Sequence, residues 1–393
     1  MKKTLIALAA LGAMAGAHAQ STVTMYGLLD ANIQSLKSNV VVGPAVAGGA
    51  STIQNLRQTR IDSAGLNGSR WGLRVSEDIG GGMAVIGNLE SGLNLDTGSS
   101  GQNGLLFGRR ANVGISSSSF GTVVIGRNSS SYDDVSADHT MMGQTIFDPS
   151  NNNNGPAATA AGIAGLVTRA GNPSTTWIGF NTRFNNSVKY TSPNFSGFSG
   201  SFMYAMGEDK ATPAPANKTS KTISANLKYA NGPLLVSGGY QSEAQGGTLG
   251  LGGTGAANAA TDASKPALTN TLLSVAYDFG VAKVGAGFNR AKFKDVLIGG
   301  NAVDPQKEVS LSVAVPLGAT TLSAGVARSK GDTLGKSTGY GIQALYSLSK
   351  RSTLYAGAET NKGYDKLVNA VNAIPGNSAG KTTTYGLGLR HTF

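Results

Sequence analysis

The sequence predicts an all-β fold, a single closed antiparallel barrel of sixteen strands that crosses a membrane. Three observations carry this prediction. Short segments alternate apolar with polar or small residues along most of the chain, the period-two signature of strands with two unlike faces. The connections alternate between short turns and longer polar loops. The composition is neither that of a helical membrane protein nor that of a charged, disordered chain: 56 glycines, only 13% charged residues and a mean hydropathy of −0.07 over 393 residues. Half of each strand facing lipid and half facing water gives such averages.

The first element is a leader. Lys2 and Lys3 precede an apolar run from Leu5 to about Ala15, and Ala17-His18-Ala19 is a small-x-small cleavage site. This reads as a secretory signal over residues 1–19, with Gln20 as the mature N-terminus and 20–393 as one barrel domain. The run falls well short of the ~20 residues a spanning helix needs, and no later run approaches that length. An exported chain of this kind enters a membrane by strands. Removal of Lys2 and Lys3 lowers the formal charge from +11 to +9. Export and the scattering of the basic residues argue against nucleic acid as a partner. The absence of Cys excludes disulfides and thiolate metal sites.

The strands follow by parity. In Lys307–Leu317, Val309, Leu311, Val313, Val315 and Leu317 share one face, and Ser310, Ser312 and Ala314 the other. In Thr222–Tyr229, Ile223, Ala225, Leu227 and Tyr229 oppose Ser224, Asn226 and Lys228. In the last segment Tyr385, Leu387, Leu389, His391 and Phe393 oppose Gly386, Gly388, Arg390 and Thr392. Seven short turns are expected, at 78–82, 118–121, 194–197, 231–233, 278–280, 316–319 and 349–351. About eight longer Gly/Asn/Ala-rich loops lie between them. Seven turns and eight loops join sixteen strands, and the even count places both termini on the periplasmic side. A soluble sandwich would not explain this asymmetry, and barrel closure leaves no strand edge exposed to lipid.

Motifs for other chemistry are weak. Gly331-Asp332-Thr333-Leu334-Gly335-Lys336-Ser337 has one residue too few between its glycines for a phosphate-binding loop and sits between strands, so it reads as a hairpin loop. Of three histidines, His18 leaves with the leader, His391 has lipid-facing parity and His139 is a loop residue, so neither a catalytic triad nor a transition-metal site is expected. Asn151 to Asn154 reads as flexible loop.

Several segments, in order, resemble the trimeric general-diffusion porins of Gram-negative bacteria, especially those of beta-proteobacteria. They are Ser21–Asp30, Ser69–Arg74 with Glu77-Asp78, Leu106–Arg109, Val113–Ile115, Phe120–Arg127, Asn186–Tyr190 through Phe198, Tyr346–Ser352 and Gly388–Phe393. The resemblance spans essentially the whole mature chain. It implies a passive channel of the outer membrane rather than an enzyme, without cofactor. It also implies a homotrimer embedded in lipid and lipopolysaccharide, inserted by the barrel-assembly machinery and passing small hydrophilic solutes and ions. The terminal face of Tyr385, Leu387, Leu389 and Phe393 resembles the signal that machinery reads.

The resemblance further implies an inward-folded third loop, here about Ser129 to Thr175, whose carboxylates oppose wall arginines across a constriction. Loop candidates are Tyr132, Asp133, Asp134 and Asp138, with Asp148 beyond them. Wall candidates are Arg70 and Arg74, whose parity opposes Trp71, Leu73 and Val75, together with Arg109 and Arg127. Arg109 and Arg110 have opposite parity; Arg109 is the one matching the family, and the sequence leaves open which of the two lines the pore. The usual Pro-Glu-Phe stretch of the loop is not evident, which leaves open the acid that reaches the constriction. Arginine is charged at any relevant pH, and two such charges ~5 Å apart in water repel by only about 0.8 kcal/mol, so a solvated row is tolerable and would prefer anions. The competing readings are a solute-selective channel, an outer-membrane barrel enzyme dependent on His139, and an adhesin.

Overall fold

The computed structural model describes residues 21–42, 52–152, 176–207, 221–244, 267–294, 297–298, 301–366 and 378–393. The expected leader, residues 1–19, lies outside them. The strands are β1 (Thr22–Val42), β2 (Thr52–Ser63 and Arg70–Gly80, one strand with an interruption), β3 (Met83–Asn94), β4 (Arg110–Ser117), β5 (Gly121–Ser129) and β6 (Arg183–Thr191). They continue as β7 (Phe198–Met206), β8 (Lys221–Asn231), β9 (Leu234–Ala244), β10 (Ala267–Asp278) and β11 (Lys283–Lys294). The last five are β12 (Gln306–Leu317), β13 (Thr320–Gly331), β14 (Gly335–Ser347), β15 (Ser352–Lys362) and β16 (Ser378–Thr392). Each pairs antiparallel with its sequence neighbour, and β16 returns to β1 in register Leu28↔Thr392 to Leu36↔Thr384. This closes a sixteen-stranded ring, so nearly every strand N–H and C=O is paired within the wall, the condition for backbone to cross lipid.

The wall is inside-out relative to a soluble protein. In β12, Val309 and Leu311 are exposed while Glu308, Ser310 and Ser312 are buried. The same holds in β8, where Leu227 is exposed and Ser224 buried, and in β16, where Tyr385, Leu387, Leu389 and Phe393 all face outward. Phe393 also seals the ring: its backbone exchanges hydrogen bonds with Gly27 (3.0 and 3.1 Å), and its ring fills the space a Cβ at residue 27 would need.

All seven short turns fall where alternation places them. One connection differs: the seventh loop is only Asp332-Thr333-Leu334, a tight hairpin between β13 and β14 rather than a long loop. Lys366 donates its backbone N–H to Leu334 O (3.3 Å), so the beginning of the eighth loop supplies the cover that a longer seventh loop would have given.

Candidate functional site

One side of the lumen is cationic. In β2, Arg74 lies over the Tyr26 ring, 4.1 Å from its centroid. The Tyr26 hydroxyl donates to Glu90 Oε2 (2.8 Å), and Arg109 Nε pairs with Glu90 Oε1 (2.7 Å). Arg70 feels Arg109, Glu90 and Arg110, which places these charges together. Arg110 carries the inward parity of β4, opposite Val113 and Ile115, and lines a cavity of ≈430 Å³ with Asn112, Asn128, Asp134, Lys189 and Lys228. Arg109 precedes the regular strand and turns in to Glu90. Both arginines therefore reach the inner side, because alternation governs only residues inside the ladder. Arg127 differs. Gly126, at φ +124, and a register shift before Asn128 break the alternation, and the Arg127 guanidinium hydrogen-bonds to Gly108 O (2.7 Å) and Asn185 Oδ1 (2.6 Å).

The described parts of the third loop, 130–152 and 176–182, lie inside the barrel against the opposite wall. Its large side chains Tyr132, Met142, Phe147, Trp177, Ile178 and Phe180 are fully buried. All but Ile178 pack into two clusters, one with Leu272 and Ala327 and one with Leu66 and Tyr355. The wall makes room by being glycine there. A Cβ at Gly239 would meet Tyr132 and Val135, at Gly287 it would meet His139, at Gly325 Met142, and at Gly357 the Phe147 ring. Two buried wall glutamates hold the returning limb. Glu308 accepts from Ile178 N (2.6 Å) and Asn289 Nδ2 (2.6 Å), and Glu243 accepts from Asn181 N (3.0 Å) and Asn181 Nδ2 (2.6 Å). Burial pushes the Tyr132 phenol up, so it remains a donor, here to Asn289 Oδ1 (3.1 Å).

The loop acids meet cations, and two of those cations are lysines. Asp134 pairs with Lys189 (2.7 Å) and Asp138 with Lys228 (2.9 Å). Asp133 faces Arg183, Lys189 and Arg109; withdrawal from water outweighs their pull and raises its carboxyl to about 6. Asp148 has no ion-pair partner among the described residues. It caps the loop internally, accepting from Thr140 Oγ1 (2.7 Å), Gln144 N (3.1 Å) and Ser150 N (2.9 Å). Parity could have found Lys189 and Lys228, whose neighbours Val188, Tyr190 and Leu227 face outward; it could not have found Arg183, at the junction of loop and strand. Glu90, beside outward-facing Leu89, is equally legible by parity.

One loop reading changes. Asn151 and Asn152 are buried braces, donating to Gln144 O (2.7 Å) and Ile178 O (3.2 Å), whereas Asn153 and Asn154 lie outside the described residues. His139 is fully buried and stacked on Trp177 at 4.5 Å, and burial lowers it to about 4. It is neutral at ordinary pH and has no access to a substrate at the outer surface. Among the described residues no group of three or more His, Cys, Asp or Glu side chains could hold a metal.

Comparison with known proteins places these features in a family. The profile of the Gram-negative porin family matches residues 7–366. An outer membrane porin of Delftia acidovorans is 31% identical and one of Bordetella pertussis 28%, each alignment covering all of both chains. Among solved structures, an anion-selective porin from Comamonas acidovorans superposes with a TM-score of 0.70 at 24% identity, covering 95% of this chain and 100% of its own. The trimer form of OmpT from Vibrio cholerae superposes at 0.58 with 18% identity, covering 95% and 99%. The chain belongs to the Gram-negative porin family, the non-enzymatic diffusion channels of the outer membrane.

Proposed function

We propose that this porin is a water-filled channel for small hydrophilic solutes with a preference for anions, and that it catalyses no reaction. The observation that carries the preference is the inner wall of β2–β4. Arg70, Arg74 and Arg110 have no carboxylate partner among the described residues, Arg109 shares the one carboxylate, Glu90, and the loop acids Asp134 and Asp138 are taken up by lysines. The net field in the narrowed lumen is positive, which concentrates anions and orients dipolar solutes. Arg70, Arg74 and Arg109 are the constriction wall, facing Asp133.

The exported chain is cleaved after Ala19, and the outward face of Tyr385, Leu387, Leu389 and Phe393 is read by the barrel-assembly machinery. The functional unit is a homotrimer. Among exposed large apolar side chains of the described residues, β6 to the C-terminus carries thirteen aromatics, including Tyr190, Phe202, Tyr277 and Tyr340, whereas β1–β5 carry only Phe120, in a turn. Aromatics girdle the faces that meet lipid and lipopolysaccharide, so the aromatic-poor β1–β5 face suits contact with another copy.

Single-channel conductance and reversal potential in a planar bilayer under a salt gradient test this reading. Ohmic steps in groups of three with an anion-favouring reversal potential are expected. No conductance from a folded, heat-modifiable barrel sinks the channel, and a cation-favouring potential sinks the arginine wall.

A further inference from the structure

We propose that Asp30, a residue with no access to water, sets the position of the third loop and through it the conductance of the pore. The proposal rests on the channel reading above. Asp30 sits on the inner face of β1 and is 0% exposed. Opposite it, β2 is interrupted: residues 64–69 leave the ladder, with Ala64 at φ +69, and form a knuckle. A break in a wall strand frees backbone N–H groups that must be satisfied. Asp30 satisfies three of them, its carboxylate accepting from Gly65 N (3.1 Å), Leu66 N (2.8 Å) and Asn67 N (2.8 Å). Its backbone takes part too, with Ala64 N donating to Asp30 O (2.9 Å) and Asp30 N donating to Ser69 Oγ (2.9 Å).

The knuckle is what the loop leans on. Ile146 N donates to Gly65 O (3.0 Å), and Leu66 packs with Met142, Phe147 and Tyr355. Tyr355, from β15, closes the arrangement from the other side. Its hydroxyl donates to Asp30 Oδ1, and its ring meets the edge of Phe147 at 6.3 Å. One buried carboxylate thus ties β1, β2, β15 and the loop to a common point. The barrel closes through backbone ladders that do not need this group, and no permeating solute can touch it. A carboxylate suits the task because it only accepts and has lone pairs for several donors.

The test compares wild type with Asp30→Asn and Tyr355→Phe in planar bilayers, alongside heat-modifiability and limited proteolysis of the loop. An asparagine turns a donor toward backbone donors and removes the charge; loss of one such charge-assisted bond shifts the docked-to-undocked ratio roughly ten-fold or more. Asp30→Asn is expected to keep the heat-modifiable barrel but to add sub-conductance levels, open-channel noise and protease sensitivity in the loop. Tyr355→Phe keeps the ring on Phe147 and shows the same change more weakly. A folded Asp30→Asn protein with wild-type conductance, noise and proteolysis overturns the proposal. If Asp30→Asn does not fold, Tyr355→Phe decides, and wild-type noise there overturns it. A wild-type protein that does not conduct fails the channel reading instead, and proteolysis of Asp30→Asn still reports on the clamp.

Discussion

The two halves of the inner wall are built from opposite materials. From β2 to β8 the inward positions carry long charged side chains, Arg70, Arg74, Glu90, Arg110, Lys189 and Lys228, which reach toward water and toward the loop acids. From β9 to β16 many inward positions are glycine, and the backbone of the wall lies within contact of Tyr132, His139, Met142 and Phe147. One half supplies the field and the other supplies a seat. The contrast shows how a pore can be narrowed on one side only. The described part of the loop docks on the glycine-rich wall, and its Asp133 faces Arg183 and Arg109 on the other side.

Filling the seat is the strongest way to break this contrast. Gly357→Leu puts a side chain where the Phe147 ring lies. Overpacking of this kind costs about 1–3 kcal/mol, and we expect the loop to leave the wall while the barrel remains heat-modifiable, read as loss of a single conductance level. Gly238→Ala, where an added Cβ has no neighbour nearer than 3.7 Å, is expected to be silent. If both are silent, the glycines are not the seat.

Charge changes on the other half sharpen the comparison. Arg70→Glu replaces one charge by its opposite near the path, a change of two unit charges, and at ~5 Å in water this alters the ion preference by up to about sixteen-fold toward cations. Its reversal potential, measured beside that of wild type, checks the sign. Glu90→Gln removes the one carboxylate shared by Arg109 and Tyr26 and is expected to strengthen the anion preference by about four-fold. A shift toward cations in that variant would mean that Glu90 acts by positioning Arg109 rather than by its charge.

The smallest expected effect is on pH. Asp133 has its carboxyl raised to about 6, so it is charged above that value and neutral below it. Lowering the pH from 7 to 5 therefore removes a negative charge beside Arg183 and Arg109, and the anion preference rises. Asp133→Asn is expected to show the low-pH preference throughout. A pH step that survives this substitution belongs to another group.

Much of the fold was legible because alternation is local. Val309 and Ser310, or Leu227 and Lys228, declare their faces from neighbours two residues away, and the seven turns interrupt that pattern visibly. The same parity assigns Arg70 and Arg74 inward. It says nothing at Arg127, where Gly126 disrupts the register, nor at Arg109, which precedes its strand. It marks Gly287 and Gly357 as inward and small without saying what fills the space.

The sequence by itself determined the strands, their faces, the ring and the basic excess, since each depends on contacts between near neighbours or on composition. Only the tertiary structure decided where the third loop lies. It also decided that Asn151 and Asn152 are braces, that Asp134 and Asp138 meet lysines, and that Asp30 gathers the backbone of a broken strand. Each of these joins residues tens to hundreds of positions apart or turns on how a loop packs, and no periodicity in the chain records which loop atom will meet which wall atom.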